Sequence, residues 1–119
     1  MNAIRDFTWL KHLRTGRVLE RFTFEDFRAV SVQIPVTDGR PQDQYRYRML
    51  FFPEASQKPV LSLNLELSIL GSYCLTEQSG DRHLRFDTVD DVPSYDEFRS
   101  WAIDRAAKQL QVPEGELVN

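Results

Sequence analysis

Residues 60 to 75 read VLSLNLELSILGSYCL, with leucine or isoleucine at every odd position from Leu61 to Ile69 and Ser62, Asn64, Glu66 and Ser68 between them. Strict alternation of this kind is the mark of a strand with one apolar and one polar face. Gly71 interrupts the run, and the odd-position pattern resumes at Tyr73 and Leu75. The unbroken parity predicts one long ribbon, and fifteen extended residues would reach about 50 Å at roughly 3.3 Å each. Sheets twist, so such a ribbon must bend, and Gly71 is the residue that tolerates a bulge or coil there. The other even residues are expected on a solvated polar face.

The same alternation recurs upstream. Val18 to Phe27 alternates about Phe22 and Phe24, with an expected break at Glu25-Asp26. Val30, Val32, Ile34 and Val36 share a face in RAVSVQIPV, and Pro35 ends that strand or places it at an edge. TDGRPQDQ, residues 37 to 44, is a loop by its Asp-Gly pair. YRYRMLFF, residues 45 to 52, puts Tyr45, Tyr47, Met49 and Phe51 on one face, while Arg46 and Arg48 begin the other and Leu50 and Phe52 finish it. RHLRFDTV, residues 82 to 89, is a fifth short strand after the turn SGD.

The period changes at both ends. Tyr95, Phe98, Ala102, Ile103, Ala106 and Leu110 recur at helical spacing. Ser94 and Glu97 form a capping box ahead of them, Asp96 and Glu97 sit in the first turn, and Lys108 sits in the last. A helix over residues 95–111 follows. Ile4, Phe7, Leu10 and Leu13 recur at steps of three, which fits either a short amphipathic helix or an irregular segment laid on the sheet. The sum is an α+β protein: an antiparallel meander of four to five strands with a C-terminal helix packed on one face. Residues 1–119 make a single domain, with residues 1–16 as a lead-in, 18–89 as the sheet and 94–111 as the helix.

Charge and composition narrow the function classes. The net charge is -3, and residues 77 to 119 hold ten acids against five bases, which disfavours nucleic acid as a partner through that half. The N-terminal segment is mildly basic. Cys74 is the only cysteine, so no intramolecular disulfide forms, in keeping with a cytoplasmic protein. No apolar run is long enough for a signal peptide or a membrane span.

Candidate chemistry is sparse. His12 and His83 are far apart and no cysteine cluster joins them, so no metal site is expected, and no cofactor motif occurs. His83, Arg85 and Asp87 fall on one face of the fifth strand and could serve proton transfer. A polar solvent face is the simpler reading, because no nucleophile accompanies them. The expectation is a protein that is not an enzyme.

The order ERFTFEDF, AVSVQIPV, YRYRMLFF and then LELSILGSYCLTE, residues 65 to 77, resembles the SecB family of export chaperones, in which an apolar run leads into a Gly-x-aromatic step before a helix. The similarity covers roughly residues 18 to 110. The helix here opens with PSYDEFRSWA instead of a Phe-Pro-Tyr-Ala-Arg-like segment. A second helix is missing, and DTVDDVP is an addition. The resemblance implies a homo-oligomer that holds unfolded polypeptide on a sheet and aromatic surface. The residues matched to that role are Tyr45, Tyr47, Phe51, Phe52 and Tyr73, with Glu66 as a partner contact. Strand alternation also suits the aromatics to a core. The alternative reading is a small acidic inhibitor or adaptor, of phage or defence-system type, that blocks one protein partner.

Overall fold

The computed structural model describes residues 3–35, 45–67, 72–89 and 91–110. The order is α1 (Thr8–Thr15), β1 (Arg17–Phe24), β2 (Phe27–Gln33), β3 (Tyr45–Pro53), β4 (Leu61–Leu67), β5 (Tyr73–Ser79), β6 (Arg82–Val89) and α2 (Tyr95–Gln109). The six strands form one antiparallel sheet in chain order, β1-β2-β3-β4-β5-β6. The architecture is therefore the expected α+β meander with its C-terminal helix, with one strand more than predicted.

The extra strand comes from the stretch expected to be a single ribbon. It is instead two strands that pair with each other, Leu67 opposite Tyr73 and Leu65 opposite Leu75. Directly opposed residues share a face in an antiparallel pair. Odd residues therefore stay on the same face whether the chain runs straight on or folds back, and parity alone cannot separate the two cases. Folding back wins because a pair of short strands satisfies its backbone groups within the sheet. Gly71 and the expected loop at residues 37–44 lie outside the described residues.

One face of the sheet buries the leucine ladder. Leu61, Leu63 and Leu65 of β4 join Tyr47, Met49 and Phe51 of β3 and Ala29 of β2 beneath Phe98, Ala102 and Ala106 of α2. The two alanines let the helix approach closely, and Phe98 stacks on Tyr47 with ring centroids 5.4 Å apart. The capping box forms as predicted: Glu97 N donates to Ser94 Oγ at 3.2 Å and Ser94 N to Glu97 Oε1 at 3.0 Å. Hydrogen bonds to the carboxylate from the Ser94 backbone N–H and, second, from the Ser94 side chain hold the Glu97 carboxyl below its ordinary value.

The opposite face, expected in water, is also covered, by the N-terminal segment. Ile4 N donates to Pro59 O at 2.9 Å and Arg5 N to Gly80 O at 3.0 Å, so the lead-in is tied down by backbone bonds. Helix α1 then lies on this face with Trp9 and His12 buried. Trp9 packs with Val30, Leu50 and Phe52, and Leu13 packs against them. The expected stripe at steps of three does not form. The helix starts only at Thr8, so positions 9, 12 and 13 face the sheet while Phe7 and Leu10 point to water.

Gly16 closes the α1–β1 join. A Cβ there would stand 2.6 Å from His12 O and 3.1 Å from Gln33 O. β2 ends at Gln33, just before Pro35, and is an interior strand, not an edge.

Candidate functional site

The polar stripe of β4, expected in water, lies under α1 and its lead-in. Ser62 and Asn64 are fully buried, with Thr76 and Gln78 of β5 beside them. Arg48 of β3 is 0% exposed at the centre. A buried guanidinium must find an acceptor for each donor or carry a large desolvation penalty. Here Nε donates to Asn64 Oδ1 at 3.0 Å and, less closely, to Ser62 Oγ at 3.3 Å. Nη1 donates to Thr8 Oγ1 at 2.8 Å and His12 Nδ1 at 3.0 Å. Nη2 donates to Gln78 Oε1 at 2.6 Å and Ser62 Oγ at 3.1 Å. The guanidinium also stands over the Tyr45 ring, 4.3 Å from its centroid. Because a guanidinium only donates, His12 accepts through Nδ1, which fixes a neutral ring protonated on Nε2. Burial lowers the Arg48 pKa from its ordinary value, against the pull of Tyr45, Asp6 and Glu66.

Among the described residues no carboxylate touches Arg48. Compensation reaches it through relays that all run outward. Gln78 Nε2 donates to Asp6 Oδ2 at 3.1 Å, and Thr8 Oγ1 donates to the same oxygen at 3.0 Å. Asn64 Nδ2 donates to Thr76 Oγ1 at 3.1 Å, and Thr76 in turn donates to Glu66. Each amide or hydroxyl accepts from the cation side and donates to the carboxylate side, so the chains are polarised in one sense. Burial pushes the Asp6 carboxyl up, but hydrogen bonds from Thr8 and Gln78 and the charge of Arg48 outweigh it and hold it below its ordinary value.

The network surfaces at His83, whose Nε2 donates to Glu66 Oε2 at 2.7 Å. His83 and Asp6 both line an open cleft of about 330 Å³ together with Arg5 and Arg82. The expected trio does not assemble. Between Cys74–Thr88 and Thr76–Arg85 the β5–β6 register slips by a residue, which takes Asp87 out of alternation with His83 and Arg85. The neighbouring hydroxyl, Thr76, is buried and already committed to Glu66. His83 and Glu66 have the parts for proton transfer, with no further nucleophile bonded to them among the described residues. Among the described residues no group of three His, Cys, Asp or Glu is placed to hold a metal ion.

The residues proposed for partner contact are divided by this geometry. Tyr45, Tyr47, Phe51 and Phe52 are buried, Tyr47 and Phe51 beneath α2 and Phe52 beneath α1. Tyr45 does not share a face with Tyr47. A register shift between them pairs Tyr45 with Glu66 and Tyr47 with Leu65, which turns Tyr45 to the α1 side beside His12. Burial pushes its hydroxyl up to about 12. Tyr73 and Glu66 are half-buried, and Glu66 belongs to the relay. Cys74 is a half-buried free thiol.

Two polar clusters on the α2 side were not foreseen. Glu77 is buried and paired with Arg105 at 2.7 Å. Glu20 accepts from Arg99 at 2.5 Å and from Tyr95, whose hydroxyl in turn accepts from Ser31 at 2.5 Å. Burial and the bond to Glu20 push the Tyr95 hydroxyl up to about 12. The sequence signal was present in Glu77 and Arg105 themselves, but nothing local says that β5 and α2 meet.

With both faces covered, the sheet ends in two edges, β1 and β6, that have no backbone partner among the described residues. No helix there is long and apolar enough to cross a membrane. Comparison with protein-family models, curated proteins and solved structures returns no match.

Proposed function

We propose that this chain is a non-enzymatic protein-binding module that takes an extended segment of another protein along an edge of its sheet. The observation that carries it is the covering of both sheet faces, by α2 on one and by α1 with its lead-in on the other, while the edge strands keep unpaired backbone groups among the described residues. Edge pairing supplies affinity through main-chain hydrogen bonds and choice through alternate side chains. The contact surface is then the strand edge, not the buried aromatics.

In the SecB-like form of this reading the module is a homo-oligomer with many unfolded clients. In the adaptor form it is specific to one partner. Light scattering, with and without a reduced and unfolded carrier protein such as lactalbumin, separates them. An oligomer whose mass rises with the unfolded client supports the chaperone form. A monomer indifferent to that client, yet capturing one stoichiometric protein whose binding fades in salt, supports the adaptor form. Peptides that leave every edge amide exchanging at its free rate would remove the edge reading altogether.

A further inference from the structure

The two edges are chemically different. β6 exposes Arg82, His83, Arg85 and Asp87 along its length, and inward or alternating charge of this kind discourages pairing. Its one large aromatic, Phe86, is covered by Trp101 and by the Arg105 guanidinium.

β1 carries a bulge near Leu19, but beyond it Glu20 to Phe24 pair regularly with β2. Phe22 and Phe24 lie half-buried on the α2 side, each edge-on to Phe51. On the other side Arg21 and Thr23 border an open groove of about 470 Å³ with Leu13, Val30 and Phe52 in its floor and Arg28 on its rim. Arg28 stands over the Phe52 ring, 5.4 Å from its centroid, and spends one bond on Ser56 O at 2.5 Å. Arg21 makes no hydrogen bond or ion pair among the described residues. Exposed Arg14 and Arg17 lie close by in sequence, at the α1–β1 join. The acids closest in sequence are Glu20, which faces the α2 side and is held by Arg99, and Glu25 and Asp26 at the hairpin tip, while exposed Glu54 follows Pro53, the β3 residue opposite Phe27.

Deepening the protein-binding reading, on which it rests, we propose that β1 is the docking edge and that its occupant is an extended segment of another protein in which acidic residues alternate with apolar ones. Side chains of an added strand point alternately to the two sides. The apolar set continues the Phe22–Phe24 surface. The acidic set comes within cross-strand distance of Arg21, about 5 Å between Cβ atoms, with its aliphatic stems over the groove floor and its carboxylates toward the guanidiniums. Arg21 and Arg28 are suited to this because the guanidinium fork matches a carboxylate in two-point fashion.

The test uses the full chain and a fluorescein-labelled peptide Thr-Val-Glu-Val-Glu-Val-Thr, with its Lys-for-Glu counterpart as control. Anisotropy should show saturable binding of the acidic peptide alone, weakened by salt. The R21E/R28E double variant should bind about tenfold or more weakly, while R85E on β6 is unchanged. Circular dichroism of each variant checks folding. Amide exchange should slow at residues 20–24 on peptide addition. Equal binding of the lysine peptide, or protection that appears on β6, overturns the assignment of edge and chemistry but leaves the protein-binding reading standing. Protection of β1 amides by self-association, without peptide, overturns it in favour of a second copy of this chain as occupant. No protection at any edge with either peptide overturns both readings.

Discussion

Replacing Arg48 with methionine tests the physics of the buried network. The side chain is fully buried, and each of its three nitrogens is bonded to β4, β5 or α1. Removing the cation releases its desolvation penalty, worth several kcal/mol for a buried ion. It also strands acceptors. Gln78 Oε1 loses its 2.6 Å donor and His12 Nδ1 its 3.0 Å donor, whereas Asn64 Oδ1 keeps the hydroxyl of Ser62 at 2.5 Å. A stranded buried acceptor costs about 1–3 kcal/mol. The stranded Gln78 oxygen, the donors lost at His12 and Thr8 and the lost stacking on Tyr45 together outweigh the relief. The expected net loss is about 2–4 kcal/mol. Urea unfolding followed by tryptophan fluorescence reads it, since Trp9 is on the helix held by the network. Arg48→Lys should lose about 1–2 kcal/mol, because an ammonium supplies fewer donors in a different geometry. Gln78→Leu added to Arg48→Met should cost less than the two single changes summed, because it removes the orphaned Oε1 and gives up only the Nε2 bond to Asp6. An Arg48→Met protein as stable as the parent, or a double variant whose loss equals the sum of the two single losses, would refute the account.

Four further outcomes follow from local geometry. Gly16→Ala should destabilise by about 1–3 kcal/mol through crowding, since its Cβ meets the carbonyl of His12 at 2.6 Å; thermal melting reads this. Glu25 stands at φ 53 in the β1–β2 turn, so Glu25→Gly should stabilise by about 0.5–1 kcal/mol despite glycine's greater unfolded-state freedom, and a lower melting point would contradict it. Asp6→Asn should weaken the fold at neutral pH, because its amide meets Gln78 Nε2 donor to donor. The Asp6 pKa is lowered by folding, so its contribution is full above the ordinary carboxyl value and fades as pH falls through the folded one; parent and variant should converge in acid, measured by urea midpoints. Tyr45 is raised by folding to about 12, so its neutral form stabilises up to pH of about 10 and that stability is lost as pH rises to about 12. Tyr45→Phe should flatten the alkaline limb of a stability–pH curve, and an unchanged limb would count against the burial of its hydroxyl.

The sequence by itself determined the elements whose signal is local. The alternation of Leu61, Leu63 and Leu65 gave a strand and its buried face, and the Ser94–Glu97 box with Phe98, Ala102 and Ala106 gave the start and inner stripe of α2. These features are written in spacing, and spacing is what backbone geometry reads. Tertiary structure decided whether the leucine run was one ribbon or a pair, because face parity is the same for both. It also decided the fate of the polar face. Ser62, Asn64 and Glu66 look like solvated residues until α1 and residues 3–7 are laid over them, and that covering depends on Arg48, Gln78 and Asp6 meeting across three elements. Register shifts moved Tyr45 and Asp87 out of the faces that simple alternation assigned them. Burial of a polar group is a property of what lies above it, set by contacts distant in sequence, and no period along the chain records it.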